Sequence, residues 1–421
     1  MDTTFHPVPP SLLSEFRERI DADLEEVAVD FLSRVSFPSA RDITPPFVAA
    51  IRGGKRFRAL CAAIGAATSH AQWVSSGENP AGLLDSVPLD SEGSRIASND
   101  SCPSSSLLID SVPSDLTPAD LLRWAMDTPQ IRALGVALEF YQASALVHDD
   151  LLDGADTRRG LPTVHRHFSA LHRERGLLGN AEDFGRDGAV LTGDLLLAAA
   201  DYALARALPQ DADVSRALLR CYSEMTGEVA VGQFADTTVT YRPFASRETE
   251  EAKGAVAEAL AIITRKSARY SVVYPAVLGV IAAGGNQNLA DTVERILEPA
   301  GIAFQLRDDA LGAFGAEDQT GKPTGIDIVE GKRTVLLALA LAHMPEETAD
   351  LLVHLYTLDS PDPASIAQAS ALLGTYGADL HEQMIAQYRE RALTALDDSS
   401  LPAPSTDLLR DLVGTLTDRS A

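Results

Sequence analysis

Residues Ser144–Gly160 read SALVHDDLLDGADTRRG, an apolar helical run that delivers Asp149, Asp150 and Asp153 and is followed at once by Arg158 and Arg159. Positions i and i+4 of a helix share a face, so Asp149 and Asp153 point the same way, one turn apart. Two carboxylates held like that repel unless a cation sits between them. A pair of hard oxygen ligands suits Mg²⁺, which is bound through one or two carboxylates plus substrate phosphates. Arg158 and Arg159 are then placed to hold phosphate oxygens that the metal leaves uncovered. The plainer reading is a solvated acidic helix end beside a basic turn, and a pattern this short does not separate the two by itself.

A second stretch tips the balance. Phe304–Gly315 reads FQLRDDALGAFG, again an apolar helical run ending in paired aspartates, Asp308 and Asp309. Two aspartate-bearing helices far apart in the chain can face one another across a cavity and share a metal cluster around one diphosphate.

The surrounding sequence is helical. Leu12, Leu13, Phe16, Ile20, Leu24, Val27 and Phe31 recur at helical spacing from about Pro10 to Val35. Pro38 and Pro45–Pro46 end that helix and open another through Phe47–Thr68, which contains GGKRFRAL at Gly53–Leu60. Lys55 and Arg58, at i and i+3, share a face that Arg56 does not. Glycines inside a helix cost about 1 kcal/mol each, so Gly53–Gly54 predicts the close approach of a ligand or another backbone. From Thr117 a helix leads to the first aspartates, and further Ala/Leu-rich helices are predicted near 186–208, 212–235, 248–283, 287–315, 332–343, 346–357, 363–397 and 405–418. With no alternating strands the expected fold class is all-α. Residues 70–117 are rich in Ser, Pro, Gly, Asn and Asp, carry the near-repeat LLDSVPLD and LIDSVPSD, and read as a mobile, disordered insertion. His148 invites a metal-hydrolase reading, but no other histidine offers complementary spacing.

Composition narrows the class. The chain has 421 residues, 45% of them hydrophobic, and 60 acidic against 35 basic side chains for a net charge of −25. Nucleic acid and anionic membrane demand a basic surface, so neither is expected as a partner, and the few local clusters of Lys and Arg carry extra weight. Three cysteines, Cys61, Cys102 and Cys221, lack metal-like spacing and fit a reducing cytoplasm. No secretory signal and no membrane-spanning stretch are expected.

With GGKRFR, HDDLLD…RR and FQLRDD…GK in that order, the chain resembles the trans-isoprenyl diphosphate synthases, the farnesyl and geranylgeranyl diphosphate synthase family, from about Pro45 to the C-terminus apart from the insertion. The resemblance implies one isoprenoid-synthase domain over 1–421, a single large helical bundle around a central cavity, and a homodimer. It places the first DDxxD motif on Asp149, Asp150 and Asp153 and the second on Asp308 and Asp309, with Asp149, Asp153 and Asp308 as metal ligands to Mg²⁺, three ions in all. The family's third carboxylate in the second motif is here Gly312, which weakens that site. The resemblance puts isopentenyl diphosphate on Lys55, Arg58, Gln142 and Arg159, and the allylic diphosphate on Arg158, Lys266 and Lys322. Gln233, Ser267, Phe304 and Gln305 line the same cavity. Gly321-Lys322…Asp327…Gly331-Lys332 resembles the mobile loop after the second motif, and Lys332 counts among the substrate-binding residues.

The implied reaction is ionisation of an allylic diphosphate, attack on it by the isopentenyl double bond, and loss of a proton. Ser144 and Ala145, one turn before Asp149, are small where short-product members of that family place aromatics, and Tyr141 lies a further turn back. The resemblance thus implies a product longer than farnesyl but bounded: geranylgeranyl diphosphate, with farnesylgeranyl or farnesyl next. Two other classes share features of the sequence. A class I terpene cyclase has DDxxD but lacks GGKRFR and normally carries an Asn/Asp–Ser/Thr–Glu motif. A non-catalytic partner subunit fits Gly312 and little else.

Overall fold

Helix α1, Pro10–Val35, buries Leu12, Phe16, Ile20, Leu24, Val27 and Phe31, the stripe that its spacing predicts. The computed structural model describes residues 8–77, 116–244, 249–315, 325–358 and 360–417. After a short 3₁₀ turn at Pro38–Ile43 come α2 (Thr44–Ile51) and α3 (Phe57–Ser76), then α4 (Pro118–Asp127), α5 (Pro129–Leu152) and α6 (Val164–Glu174). The long helices α7 (Ala181–Ala207) and α8 (Ala212–Thr240) follow, then α9 (Thr249–Ile263), a π-helical segment over Thr264–Val273, α10 (Tyr274–Ala282) and α11 (Gln287–Phe314). The C-terminal part holds α12 (Ile326–Val329), α13 (Val335–His343), α14 (Glu346–Tyr356), α15 (Pro363–Tyr376), α16 (Ala378–Asp397) and α17 (Ala403–Thr417).

The all-α expectation holds, with several differences of detail, among them that the predicted helix 363–397 is broken at Gly377 into α15 and α16. The predicted helix through Phe47–Thr68 is two helices, because Gly53, Gly54 and Arg56 all take positive φ (74°, 97° and 52°), which no helix tolerates. Helix α3 runs on to Ser76, so residues 70–76 belong to it; 78–115 lie outside the described residues. The helix from Thr117 stops at Asp127: Thr117 and Asp120 form a reciprocal capping box at its start, and Pro129 opens α5. The predicted helix 248–283 is interrupted by the π-helical segment, a feature often found at functional sites. A two-residue hairpin pairs Thr157–Arg158 (β1) with Leu161–Pro162 (β2), a ladder too short for alternation to reveal. Its loop, Arg159–Gly160, has φ of 54° and 75°, the pair of positive values that a type I′ turn requires.

Packing is close where small residues face each other. A Cβ on Gly65 of α3 would sit 2.7 Å from the Ala276 carbonyl carbon in α10, and one on Gly279 of α10 would sit 2.8 Å from that of Ala62 in α3. The two helices therefore touch backbone to backbone. Across the core, Phe47 of α2 lies between Phe31 of α1 and Phe140 of α5, with ring centroids 6.4 and 6.0 Å apart. Phe140 is fully buried, and cutting it to alanine would cost about 3–5 kcal/mol. Contrary to the sequence expectation, one helix among the described residues, α7, is by length and composition long and apolar enough to cross a membrane. In this fold it instead packs Gly185, Ala189, Gly193, Leu196 and Ala200 inward, against α5 and α6.

Candidate functional site

The C-terminal end of α5 carries the first aspartates. Asp153 caps the helix, its backbone N–H bonded to the Asp149 carbonyl at 2.8 Å, so these two carboxylates stand one turn apart, as i,i+4 geometry requires. Asp150 points elsewhere. It is buried, and Arg158 Nε donates to its Oδ1 at 2.8 Å. The β1–β2 hairpin makes this possible by folding Arg158 back over the helix end, 4.0 Å from Asp149 Oδ2. Burial disfavours the Arg158 charge, but the hydrogen bond and the charge of Asp150 outweigh it and hold the guanidinium pKa above its usual range.

The π-helical segment supplies the next cation. Lys266 Nζ lies 2.6 Å from Asp236 Oδ2 on α8 and 3.6 Å from Asp149 Oδ1. A Cβ at Gly232 would come within 2.8 Å of the Lys266 backbone N, so that glycine lets the segment settle onto α8 beside Gln233 and Asp236. Ser267 is half-buried next to Lys266. Burial opposes the charge of Lys266, yet Asp149 and Asp236 raise its pKa overall.

Helix α11 brings the second aspartates. Phe304 stacks on Phe57 at the start of α3, centroids 5.7 Å apart and nearly parallel, which seats this helix against the GGKRFR stretch. Gln305 Nε2 donates to Asp309 Oδ1 at 3.0 Å. The other Asp309 oxygen is buried without a hydrogen-bond partner. Burial, with Asp327 and Asp308 nearby, pushes the Asp309 carboxyl well above the usual carboxylate range.

Lys332 joins the two halves. Its Nζ lies 3.5 Å from Asp153 Oδ2, 3.8 Å from Asp327 Oδ1 and 2.5 Å from Glu330 Oε2. Burial raises the Asp153 pKa to about 6, with Lys332 pulling the other way. The link between the two acidic helix ends is indirect: Lys332 contacts Asp153 of the first and Asp327, whose carboxylate lies against Gly312 near the end of the second. Lys322 lies outside the described residues.

The basic residues near α3 divide into two groups. Arg159 donates to the Arg52 carbonyl at 2.6 Å, and its guanidinium lies across Gly53 and Gly54, so close that a Cβ on Gly54 would be 3.0 Å from it. The approach predicted at the glycine pair is therefore made by an arginine side chain, with exposed Lys55 beside it. Arg58 and Gln142 meet at Tyr270 instead. The Arg58 guanidinium sits 4.3 Å above the Tyr270 ring and donates to Ser271 Oγ at 2.7 Å, while the Tyr270 hydroxyl donates to Gln142 Oε1 at 2.5 Å. Arg56 is buried against Asp21 and Glu139.

Behind Asp149, Ser144 is buried and Ala145 half-buried. A further turn back, Tyr141 meets Tyr222 of α8 and Tyr270 edge-on, with centroids 6.2 and 5.5 Å apart. Asp236, Glu330, Tyr222 and Tyr270 are the members of this site that the sequence did not single out. Asp236 had a local signal, three residues after Gln233 on one helix; Tyr222 and Tyr270 read as ordinary core.

Among the described residues no three acidic, imidazole or thiol groups gather closely enough to enclose an ion by themselves. The carboxylates stand in pairs, with lysines between the pairs. That arrangement fits Mg²⁺, which keeps its waters and takes its remaining ligands from substrate phosphate rather than from an all-protein cage.

Comparison with known proteins follows the same line. The sequence pattern of the polyprenyl synthetase family matches residues 116–373. The geranylgeranyl diphosphate synthase of Sulfolobus acidocaldarius is 28% identical over 269 residues, 63% of this chain and 73% of that protein. The geranylfarnesyl diphosphate synthase of Aeropyrum pernix is 29% identical over 290 residues, 68% of this chain and 82% of that protein. Among solved structures, the geranylgeranyl pyrophosphate synthase of Corynebacterium glutamicum, complexed with isoprenyl diphosphate and magnesium, superimposes with a TM-score of 0.75 at 29% identity, covering 97% of this chain and 99% of that one.

Proposed function

The chain belongs to the polyprenyl synthetase family, and from that premise we propose that this prenyltransferase condenses isopentenyl diphosphate with an allylic diphosphate to make geranylgeranyl diphosphate. The observation that supports the reading is the pair of lysines at the first aspartates, Lys266 beside Asp149 and Lys332 between Asp153 and Asp327, the last lying against Gly312 of the second aspartate helix.

The C–O bond of the allylic diphosphate breaks, the isopentenyl double bond forms the new C–C bond, and the proton it releases passes to the departing diphosphate. Asp149, Asp153 and Asp308 would hold Mg²⁺, which when bound would offset negative charge on the leaving diphosphate. The chain's own cations, Arg158, Lys266 and Lys332, face the same negative charge as it develops, where stabilisation counts most. Asp150 fixes Arg158 from behind. Lys55 and Arg159 at the glycine pair, with Arg58 and Gln142 at Tyr270, hold the isopentenyl diphosphate. Apolar lining from α5 and α8 excludes water, which would otherwise quench the cation. Tyr141, Tyr222 and Tyr270 form the floor that ends elongation.

We also propose a homodimer in the cytoplasm. Exposed Val190, Leu191, Val231 and Phe234 on α7 and α8 support the first, and the buried, unpaired thiols of Cys61 and Cys221 support the second.

The test incubates purified protein with isopentenyl diphosphate, each allylic diphosphate and Mg²⁺, and reads product length by chromatography. A chain-elongated diphosphate is expected, and Asp149→Ala and Asp308→Ala should lower turnover by about 10³-fold or more. A cyclic hydrocarbon, or no product from any primer, rejects the proposal.

A further inference from the structure

The second aspartate pair is followed by Gly312, where a third carboxylate is expected. The structure fills that place from another element. A Cβ built on Gly312 would fall inside the Asp327 carboxylate, 2.6 Å from its Cγ and 3.0 Å from Oδ1, with Oδ2 nearer still. No side chain at position 312 can coexist with Asp327 as it stands.

Asp327 is held there by its neighbours. It belongs to the short helix α12, which begins after Gly325 in the left-handed region at φ 76°. Ile328, the next residue, is buried with Leu336, Leu352, Leu355 and Leu373, so the one-turn helix is anchored by its apolar side. The Asp327 carbonyl accepts from the Lys332 backbone N–H at 2.9 Å, and Lys332 Nζ reaches on to Asp153. One turn of α11 before Gly312 stands Asp309, whose Oδ2 is buried and has no hydrogen-bond partner.

We propose that Asp327 is the third carboxylate of the second aspartate cluster, and that Gly312 is the condition for it. A cation held at Asp308 takes its further carboxylate from α12, because only a residue without a Cβ leaves room for it. The position of α12 and the affinity for Mg²⁺ then become one equilibrium, extended by Lys332 to the first cluster. The inference rests on the proposed function and adds a residue to it.

The experiment compares the parent with Asp327→Ala, Asp327→Asn, Gly312→Asp, the double variant Gly312→Asp/Asp327→Gly, and Asp308→Ala. Each is checked for folding by circular dichroism, then titrated with Mg²⁺ in the presence of inorganic diphosphate by calorimetry and assayed for product. Asp327→Ala and Asp327→Asn should each weaken Mg²⁺ binding by about 10–100-fold. Gly312→Asp alone should do at least as much harm, since two carboxylates then compete for one place. The double variant, with the carboxylate moved to α11, should return most of the lost affinity. Parent-like Mg²⁺ binding in both Asp327 variants overturns the proposal, as does a double variant no better than Gly312→Asp. Should Asp308→Ala bind Mg²⁺ and turn over like the parent, the proposed function itself falls; should Asp308→Ala fail while both Asp327 variants behave as the parent, only the role of Asp327 falls.

Discussion

Lys332 Nζ stands 3.5 Å from Oδ2 of Asp153, a contact that ties the segment after the second aspartate helix to the end of the first. The amine is half-buried and its pKa lies well above the ordinary lysine range: burial opposes the charge, but Asp327, Glu330, Asp153 and Asp149 together prevail. The charge is therefore present at any working pH. Lys332→Met keeps the bulk and removes it, and should lower kcat by about 10²-fold with a normal circular dichroism spectrum. Steady-state kinetics showing parent-like kcat would detach this lysine from the reaction.

Product length offers an independent check. Ser144→Phe or Ala145→Phe should shorten the product, because either ring occupies the space one turn behind Asp149. Tyr222→Ala should lengthen it by opening the floor beneath Tyr141. Because the Tyr222 hydroxyl is buried without a hydrogen-bond partner, its removal strands no polar group. Chromatography of the products decides the matter, and three unchanged product lengths would put the elongation path elsewhere.

Gly54 separates binding from chemistry. Its φ of +97° and the 3.0 Å approach of the Arg159 guanidinium to its would-be Cβ mean that Gly54→Ala strains the backbone and shifts the arginine. The expected result is a KM for isopentenyl diphosphate raised about tenfold, with kcat changed less. A fall in kcat alone would argue that Arg159 acts on the other substrate.

The acid limb of stability should depend on His381. It is buried on α16, its Nε2 has no hydrogen-bond partner, and burial lowers its pKa to about 4 from 6.5 despite Glu382, with Arg307 acting in the same direction as burial. Between those values the unfolded chain binds a proton that the folded one does not. Stability is thus lost as pH falls from 6.5 towards 4, by up to about 3 kcal/mol. His381→Leu removes the titration, and its Tm should drop less than the parent's between pH 7 and pH 5. Equal drops would assign the acid sensitivity to other groups.

Much of this was local and so readable along the chain. Helical periodicity gave α1 its buried stripe, i,i+4 spacing put Asp149 and Asp153 on one face, and Gly53–Gly54 announced a close approach. These are properties of a few consecutive residues, set by backbone geometry and by which side chains avoid water.

What the sequence determined by itself was the all-α class, the two aspartate helices and the family to which their order points. Only the tertiary structure decided that Asp150 faces Arg158, that Arg58 lies over Tyr270, that Lys266 rides on a π-helical segment beside Asp236, and that Asp327 stands where Gly312 leaves room. Each joins groups on different elements, and which groups meet depends on how helices cross. Periodicity fixes the face a helix buries; it carries no record of the partner on the other side.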